Sequence, residues 1–458
     1  YSSYDYKEEK TYVLDSGDYY FAIGNNVHDA LNNILAAQGM TTQNGMDEEG
    51  DASAVCQWNQ AEKELLSTAV SGAEITNQFD NASLEYYGQE TFPESYTDLA
   101  ATNEMMADID AQGSYESSGL VDKDITTGKD NEIAFASMNG ADFNDERWDT
   151  LLDELTVEDM VKMVTGSGLS TIPSVSYPSM FMKDGPQGNN MRSYVEDGTS
   201  ATGFCGEVVR ASTFNKDLIR RAGDAMGEDW LRTDTEGAYT PAVNIHRTPY
   251  AGRNFEYYSE DGFLAGELAN EEVIGMQEKG AICYIKHFVM NDQETNRIGI
   301  CTFSNEQAIR EIYLKAFVEG KTKGTMGSFN RIGCTWSGAH SGLMTGIVRG
   351  EWGSTAIVDT DIAINTSLQN VEAGLTAGTN MWATSGSSFY DYTIEKAKKD
   401  GDLLAKLRES CHIILYNVAN SSGVNNLSPT AQIKNAMPYW QKILTAIIAV
   451  LAALDVLA

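Results

Sequence analysis

Three observations predict an α/β fold in the form of a (β/α) barrel. Short apolar runs recur with a spacing of roughly 40 residues, and helical patterns separate them. The runs are SMFMKD (179–184), AYTPAVN (238–244), AICYIKHF (281–288), GTMGSFN (324–330), STAIVDTD (354–361) and AGTNMWA (377–383). Several end in polar residues: Asp184, Asn244, His287, Asn330 and Asp361. A TIM-like (β/α)8 barrel gathers every strand end at one mouth, whereas an open sheet spreads them, so the repeated polar ending favours the barrel.

The elements follow in order. In YVLDSGDYYFAIG (12–24), Ser16-Gly17-Asp18 separates two β-rich runs, which predicts a hairpin, and residues 1–40 are assigned to a β-sandwich remnant. Residues 41–144 are acidic and polar without sustained periodicity, and are expected to be a linker with some helical pieces. Trp148, Leu151, Leu152 and Leu155 then have helical spacing, and Thr156-Val-Glu-Asp159 has the form of a capped helix start. The barrel is assigned to 145–420. Within it, a helix over 305–319 is expected to be capped by Ser304 and Gln307, with Ile309, Ile312, Ala316 and Phe317 on its apolar face. A linker over 421–438 leads to a C-terminal hydrophobic helix, 439–458. There, Ile443 to Leu454 carry no charge and follow Tyr439, Trp440 and Lys442, an arrangement expected of a membrane anchor whose far end is missing.

Composition excludes some functions. With 32 basic and 66 acidic residues, the 458-residue chain has a formal charge of −34, which repels phosphate backbones and argues against nucleic acid as a partner. The six cysteines are scattered, with no CxxC or His/Cys cluster to suggest zinc. Cys283, inside AICYI, is expected to be buried. Disulfides are compatible with the spacing but not required by it.

The densest stretch of chemistry is KHFVMNDQETNR (286–297), where an apolar run hands over to Lys286, His287, Asn291, Glu294 and Arg297. Taken alone, Lys286 and His287 could equally be a structural pair. Around them stand DGPQG (184–188), VNIHRTP (243–249), GRNFEYYSED (252–261), EIYLKAF (311–317), SFNR (328–331), RGEWG (349–353) and AIVDTDI (356–362). In this order and at these spacings the motifs resemble glycoside hydrolase family 3 of the β-glucosidase type, over about residues 145–420.

The resemblance implies a retaining, exo-acting β-glycosidase that removes terminal non-reducing sugars from β-linked oligosaccharides or glycosides, without metal or organic cofactor. It makes Asp361 the catalytic nucleophile, and Asp184, Arg253, Lys286 and His287 the groups that hydrogen-bond the sugar. Phe329 stands where relatives commonly carry an aromatic hydroxyl, and Ile362 replaces a usual Trp. Such an enzyme needs a carboxylate beneath the anomeric carbon and a proton donor roughly 5–5.5 Å away. Arg253 and Lys286 would help keep Asp361 ionised.

Glu256, Glu260, Asp261, Glu294 and Arg297 are assigned to bracing, and His246 and Arg247 to support. Asp359 shares a face with Asp361 on a regular strand, or faces solvent if the strand has already bent.

The resemblance leaves the general acid unassigned within the chain. Residues 12–26 resemble the end of a fibronectin III-like module, as in members with reversed domain order. The acid is therefore expected on an α/β sandwich domain upstream of Tyr1. Its absence would cost about 10²–10⁴ in rate, least on aryl glucosides whose leaving group needs no proton. The expected location is the extracellular face of the cell membrane. A catalytically impaired carbohydrate-binding relative is the alternative, and an imine-forming enzyme using Lys286 a third reading.

Overall fold

The computed structural model describes residues 2–89, 100–117, 125–190, 201–317, 321–384, 386–433 and 439–457. Parts of the expected segments 41–144, 305–319 and 421–438 lie outside these residues.

The N-terminal part departs from the predicted hairpin. Strand β1 (Ser3–Asp5) pairs antiparallel with β2 (Thr11–Leu14), Ser3 opposite Val13. The chain then leaves that sheet. Strand β3 (Gly17–Ala22) pairs with β4 (Val55–Gln60), and β5 (Glu64–Leu66) returns to β2. Gly17 has φ +141°, a backbone that a side chain would resist, and there the chain passes between sheets instead of folding back on itself. A helix, Val27–Ala37, completes the segment. Two small sheets sharing residues on both sides of position 40 are not the predicted β-sandwich remnant.

This segment is bound to the rest of the molecule by buried charge. Arg310 forms ion pairs with Glu306 and Glu351, both at 2.7 Å, donates to the Thr76 carbonyl at 2.8 Å, and lies 4.4 Å over the Tyr4 ring. Glu306 also accepts from the backbone N–H groups of Gln78 and Phe79.

The helix start at Thr156 forms as expected: Thr156 and Asp159 cap each other at the head of Val157–Val164. Five strands follow in one all-parallel sheet: β6 (Met182–Asp184), β7 (Gly237–Tyr239), β8 (Ile282–Phe288), β10 (Gly324–Gly327) and β13 (Ile357–Asp359), adjacent in chain order. The short strands β9 (Cys301–Thr302), β11 (Arg331–Ile332) and β12 (Thr335–Trp336) form a separate sheet beside the mouth. The sixth expected run contributes only a bridge, Met381 opposite Asp359. The described residues therefore form a TIM-like α/β fold whose parallel sheet has five strands, not the expected eight.

The sheet curls. Tyr239 on β7 reaches across the interior to Asp359 on β13, although β8 and β10 separate those strands. Residues 164–169 bridge the remaining gap, because Trp382 N–H donates to the Val164 carbonyl and Met180 N–H to that of Leu169.

Two helix expectations need correction. The cap before position 306 is Asn305, which accepts from Ala308 N–H, and not Ser304. Residues Ile309–Tyr313 are π-helical, which alters the angular spacing and leaves Ile312 37% exposed while Ile309, Ala316 and Phe317 are buried.

The C-terminal run does form a helix, Tyr439–Leu457. No helix among the described residues is long and apolar enough to cross a membrane. The uncharged stretch 443–454 would rise only roughly 18 Å, well short of a hydrocarbon core of about 30 Å.

Candidate active site

The site is assembled from the carboxyl ends of the parallel strands. Asp184 closes β6 and is followed by Gly185, where a Cβ would stand 2.5 Å from the Trp230 ring. Trp230 is itself fixed by donating to the Gly237 carbonyl. The close approach requires glycine and sets where Asp184 leaves the sheet. Lys286, 3% exposed at its side chain, places Nζ 3.3 Å from Asp184 Oδ1. Asp184, Gly185, Gln187, Arg253, Glu256 and Lys286 line a cavity of about 450 Å³.

His287 follows on β8 and is fully enclosed. Asn244 holds its backbone from both sides, donating to the His287 carbonyl at 2.9 Å and accepting from its N–H at 2.8 Å. Burial, and then the charges of Arg253, Lys286 and Arg297, push the imidazole pKa well below its usual range, so the ring is neutral. Its Nδ1 lies 3.2 Å from the Tyr257 hydroxyl. The Lys286–His287 and Phe288–Val289 peptide bonds are cis.

Asp361 extends the β13 ladder, its N–H donating to the Gly327 carbonyl. Oδ1 accepts from Ile362 N–H at 2.7 Å. Oδ2 is buried without a hydrogen-bond partner and lies 3.8 Å from Arg297 Nη1 and 4.0 Å from His287 Nε2. Arg297 Nη1 is likewise buried and unpartnered. The carboxylate oxygen and the guanidinium N–H face each other as an ion pair, slightly too far apart for a hydrogen bond, and each keeps unsatisfied bonding capacity. Burial raises the Asp361 pKa. The Ile362 N–H, Arg297, Lys286 and Arg253 all act against that rise.

The structure thus brings His287 and Asp361 together, while Asp184, Arg253 and Lys286 line the cavity, whose wall includes neither His287 nor Asp361. Arg297 is more than the expected brace, since it is the cation with the largest effect on Asp361. Glu294 links the two arginines, 3.4 Å from Arg297 Nε and 3.8 Å from Arg253 Nη1. Glu256 pairs with Arg253, and also lines the cavity. Phe329 is buried with its ring centroid 4.9 Å from the Arg297 guanidinium, acting as a shelf for that residue. The polar strand ends Asn244 and Asn330 bind backbone carbonyls and do not face the cavity as part of this set.

Asp359 is fully buried, against the possibility that it faces solvent. Tyr239 donates to its Oδ2 at 2.9 Å and Thr360 N–H to its Oδ1. Burial raises its pKa to about 7. Sequence reasoning missed the Tyr239 partner, which lies 120 positions away. The only signal was that both residues sit on runs assigned to one barrel.

The family described as "Glycosyl hydrolase family 3 N terminal domain" matches residues 164–410, just over half of the chain. Among curated relatives, Beta-glucosidase A of Butyrivibrio fibrisolvens is 41% identical over 205 residues, 44% of this chain and 24% of that protein. Exo-alpha-(1->6)-L-arabinopyranosidase of Bifidobacterium longum is 34% identical over 262 residues, 54% of this chain and 34% of its own length. The chain therefore spans a quarter to a third of these relatives.

Beta-glucosidase 3B from Thermotoga neapolitana, solved in complex with glucose, superposes with a TM-score of 0.57 at 33% identity, over 63% of this chain and 44% of that one. A beta-glucosidase from Paenibacillus barengoltzii matches 95% of this chain and 49% of its own, with a TM-score of 0.66 at 22% identity. That likeness concerns the fold alone, and it extends through the N-terminal segment.

Proposed function

The chain belongs to glycosyl hydrolase family 3, and from that premise we propose that it is the barrel part of a retaining, exo-acting β-glycosidase of the β-glucosidase type. The observation that carries the reading is the unpartnered pair Asp361 Oδ2 and Arg297 Nη1, 3.8 Å apart beside a neutral His287. A sugar hydroxyl that reached this pair would donate to the carboxylate and accept from the guanidinium. The rest of the ring would lie toward Lys286, Asp184 and Arg253, whose charge-assisted hydrogen bonds select a polyhydroxylated ligand.

In the proposed reaction, Asp361 attacks the anomeric carbon, the glycosidic oxygen leaves, and a glycosyl ester forms on Asp361. Water then cleaves the ester. The strand end holds Asp361 rigidly enough for in-line attack. The proton for the leaving group is proposed to come from a part of the whole protein other than the barrel, in line with the expected reversed domain order. Extracellular attachment through residues 439–457 is a separate proposal. Its support is the exposure of Tyr439, Trp440, Ile447 and Leu451 on that helix.

The test is turnover of aryl β-glucosides by the chain and by Asp361→Asn. We expect measurable release of an acidic phenol by the first and none above background by the second. Equal rates would defeat the assignment. A carbohydrate-binding relative without turnover is the second reading, favoured by one observation: Phe329 has no hydroxyl to offer, and its ring is occupied by Arg297. Sugar binding with no turnover of any aryl glycoside would select it.

A further inference from the structure

A second cavity, of about 620 Å³, opens on the other side of the Glu294 segment and is lined by Arg247, Tyr250, Asp292, Glu294, Cys301 and Tyr313, among others. Its wall carries Cys301, the first residue of β9, which follows the loop bearing Glu294 and Arg297. Strand β9 pairs in parallel with β11, Cys301 opposite Arg331 and Thr302 opposite Ile332, and Gly333 N–H adds a further bond to the Thr302 carbonyl. The next residue, Cys334, lies in the turn between β11 and β12.

The two thiols are close enough that each shifts the titration of the other. They are packed in one small cluster with Tyr87, Met105 and Phe303. The Arg331 guanidinium acts electrostatically on both sulfurs. Cys334 is 1% exposed, whereas Cys301 is partly exposed at the cavity wall. One thiol is open to a reagent and the other is hidden directly behind it. The contact with Cys334 and burial push the Cys301 thiol up, and the Arg331 cation opposes that only in part.

We propose that Cys301 and Cys334 are a dithiol modification site, at which a low-molecular-weight disulfide converts the pair to an intrachain disulfide. Cys301, losing its proton to the departing sulfur, attacks one sulfur of the reagent disulfide, forming a mixed disulfide and expelling one thiol. The Cys334 thiolate then attacks Cys301 Sγ and expels the second. The protons of the two cysteines end on the two released thiols. The protein pair is oxidised by two electrons and the reagent is reduced by two. The contact with Cys301, assisted by Tyr87, lowers the Cys334 pKa to about 7, which suits the resolving step near neutral pH. The cross-link joins the segment carrying Arg297 to the hairpin that follows Phe329, and so fixes the two residues stacked at the side of Asp361.

The experiment incubates the folded chain with oxidised glutathione near neutral pH, alkylates the remaining thiols with iodoacetamide, and maps tryptic peptides by mass spectrometry without reduction. We expect a peptide pair linked through Cys301 and Cys334. Cys56 and Cys205, both exposed, should appear singly, as glutathione or acetamide adducts. The variant Cys334→Ser should trap glutathione on Cys301, and Cys301→Ser should leave Cys334 without any adduct until the chain is unfolded. Recovery of both cysteines unlinked from the oxidised wild type would overturn the proposal. So would linkage of Cys301 to another cysteine.

Discussion

Arg297 Nη1 and Asp361 Oδ2 stand 3.8 Å apart, each buried and each without a hydrogen-bond partner. Arg297 precedes Lys286 and Arg253 among the cations that oppose the burial-driven rise of the Asp361 pKa. Arg297→Met removes that opposition, so the Asp361 pKa rises further and less carboxylate is present at acid pH. In a profile of kcat/KM against pH on an aryl β-glucoside, the ascending limb should move to higher pH. An unmoved limb would show that Arg297 does not act on the ionised residue.

Asp184 separates a binding role from a structural one. Its side chain is 58% exposed, but its ion-pair partner Lys286 is 3% exposed, so loss of the carboxylate charge leaves a buried cation less compensated. Asp184→Asn should lower Tm only modestly while lowering kcat/KM by about 10²-fold, as expected for loss of charge-assisted bonds to sugar hydroxyls. A matching fall in Tm with unchanged kcat/KM would mark Asp184 as a brace.

Arg310 should be a large stability contributor. Its side chain is 2% exposed between two carboxylates and against the N-terminal Tyr4. Arg310→Met leaves Glu306 and Glu351 buried without their cation, which should cost about 3–5 kcal/mol in urea unfolding. A change below about 1 kcal/mol would mean that residues 1–89 do not depend on this contact.

Asp359 gives a pH signature. Its folded pKa is about 7 against 3.8 for the unperturbed group, because burial outweighs the bonds from Tyr239 and Thr360. Between these values the folded chain holds a proton that the unfolded chain has released. The stability contribution of this group therefore falls as pH rises through the window and is level above it. Asp359→Asn cannot titrate, so its Tm relative to wild type should rise between pH 5 and pH 8. The corresponding change in unfolding free energy should be on the order of 1–4 kcal/mol. A constant difference across that range would show that Asp359 is already ionised when folded.

Much of this site was legible in the chain because barrel chemistry sits where strands end. Lys286, His287 and Asp361 each follow an apolar run directly, and the run marks the position. The Thr156 cap was legible for a similar local reason. What could not be read depends on contacts between distant residues. Tyr239 meets Asp359 only because the sheet curls, and no local pattern encodes curvature. The true partner of residues 17–22 is 55–60, so a Ser-Gly-Asp turn that suits a hairpin was overruled by a strand lying beyond a helix. Arg297 looked like a brace because its pairing with Glu294 is local, whereas its approach to Asp361 is not. The π-helical turn at 309–313 likewise breaks the periodicity on which the reading of Ile312 rested.

The central claim is that Asp361 forms a covalent bond with the sugar. Incubation with a 2-deoxy-2-fluoro-β-glucoside bearing an activated leaving group, followed by peptide mapping, tests it most directly. The account predicts one fluoroglycosyl adduct per chain, on the peptide that contains residue 361 and on that carboxylate. An adduct on Glu256, Asp359 or any other acid, or turnover of the reagent with no adduct at all, would contradict it.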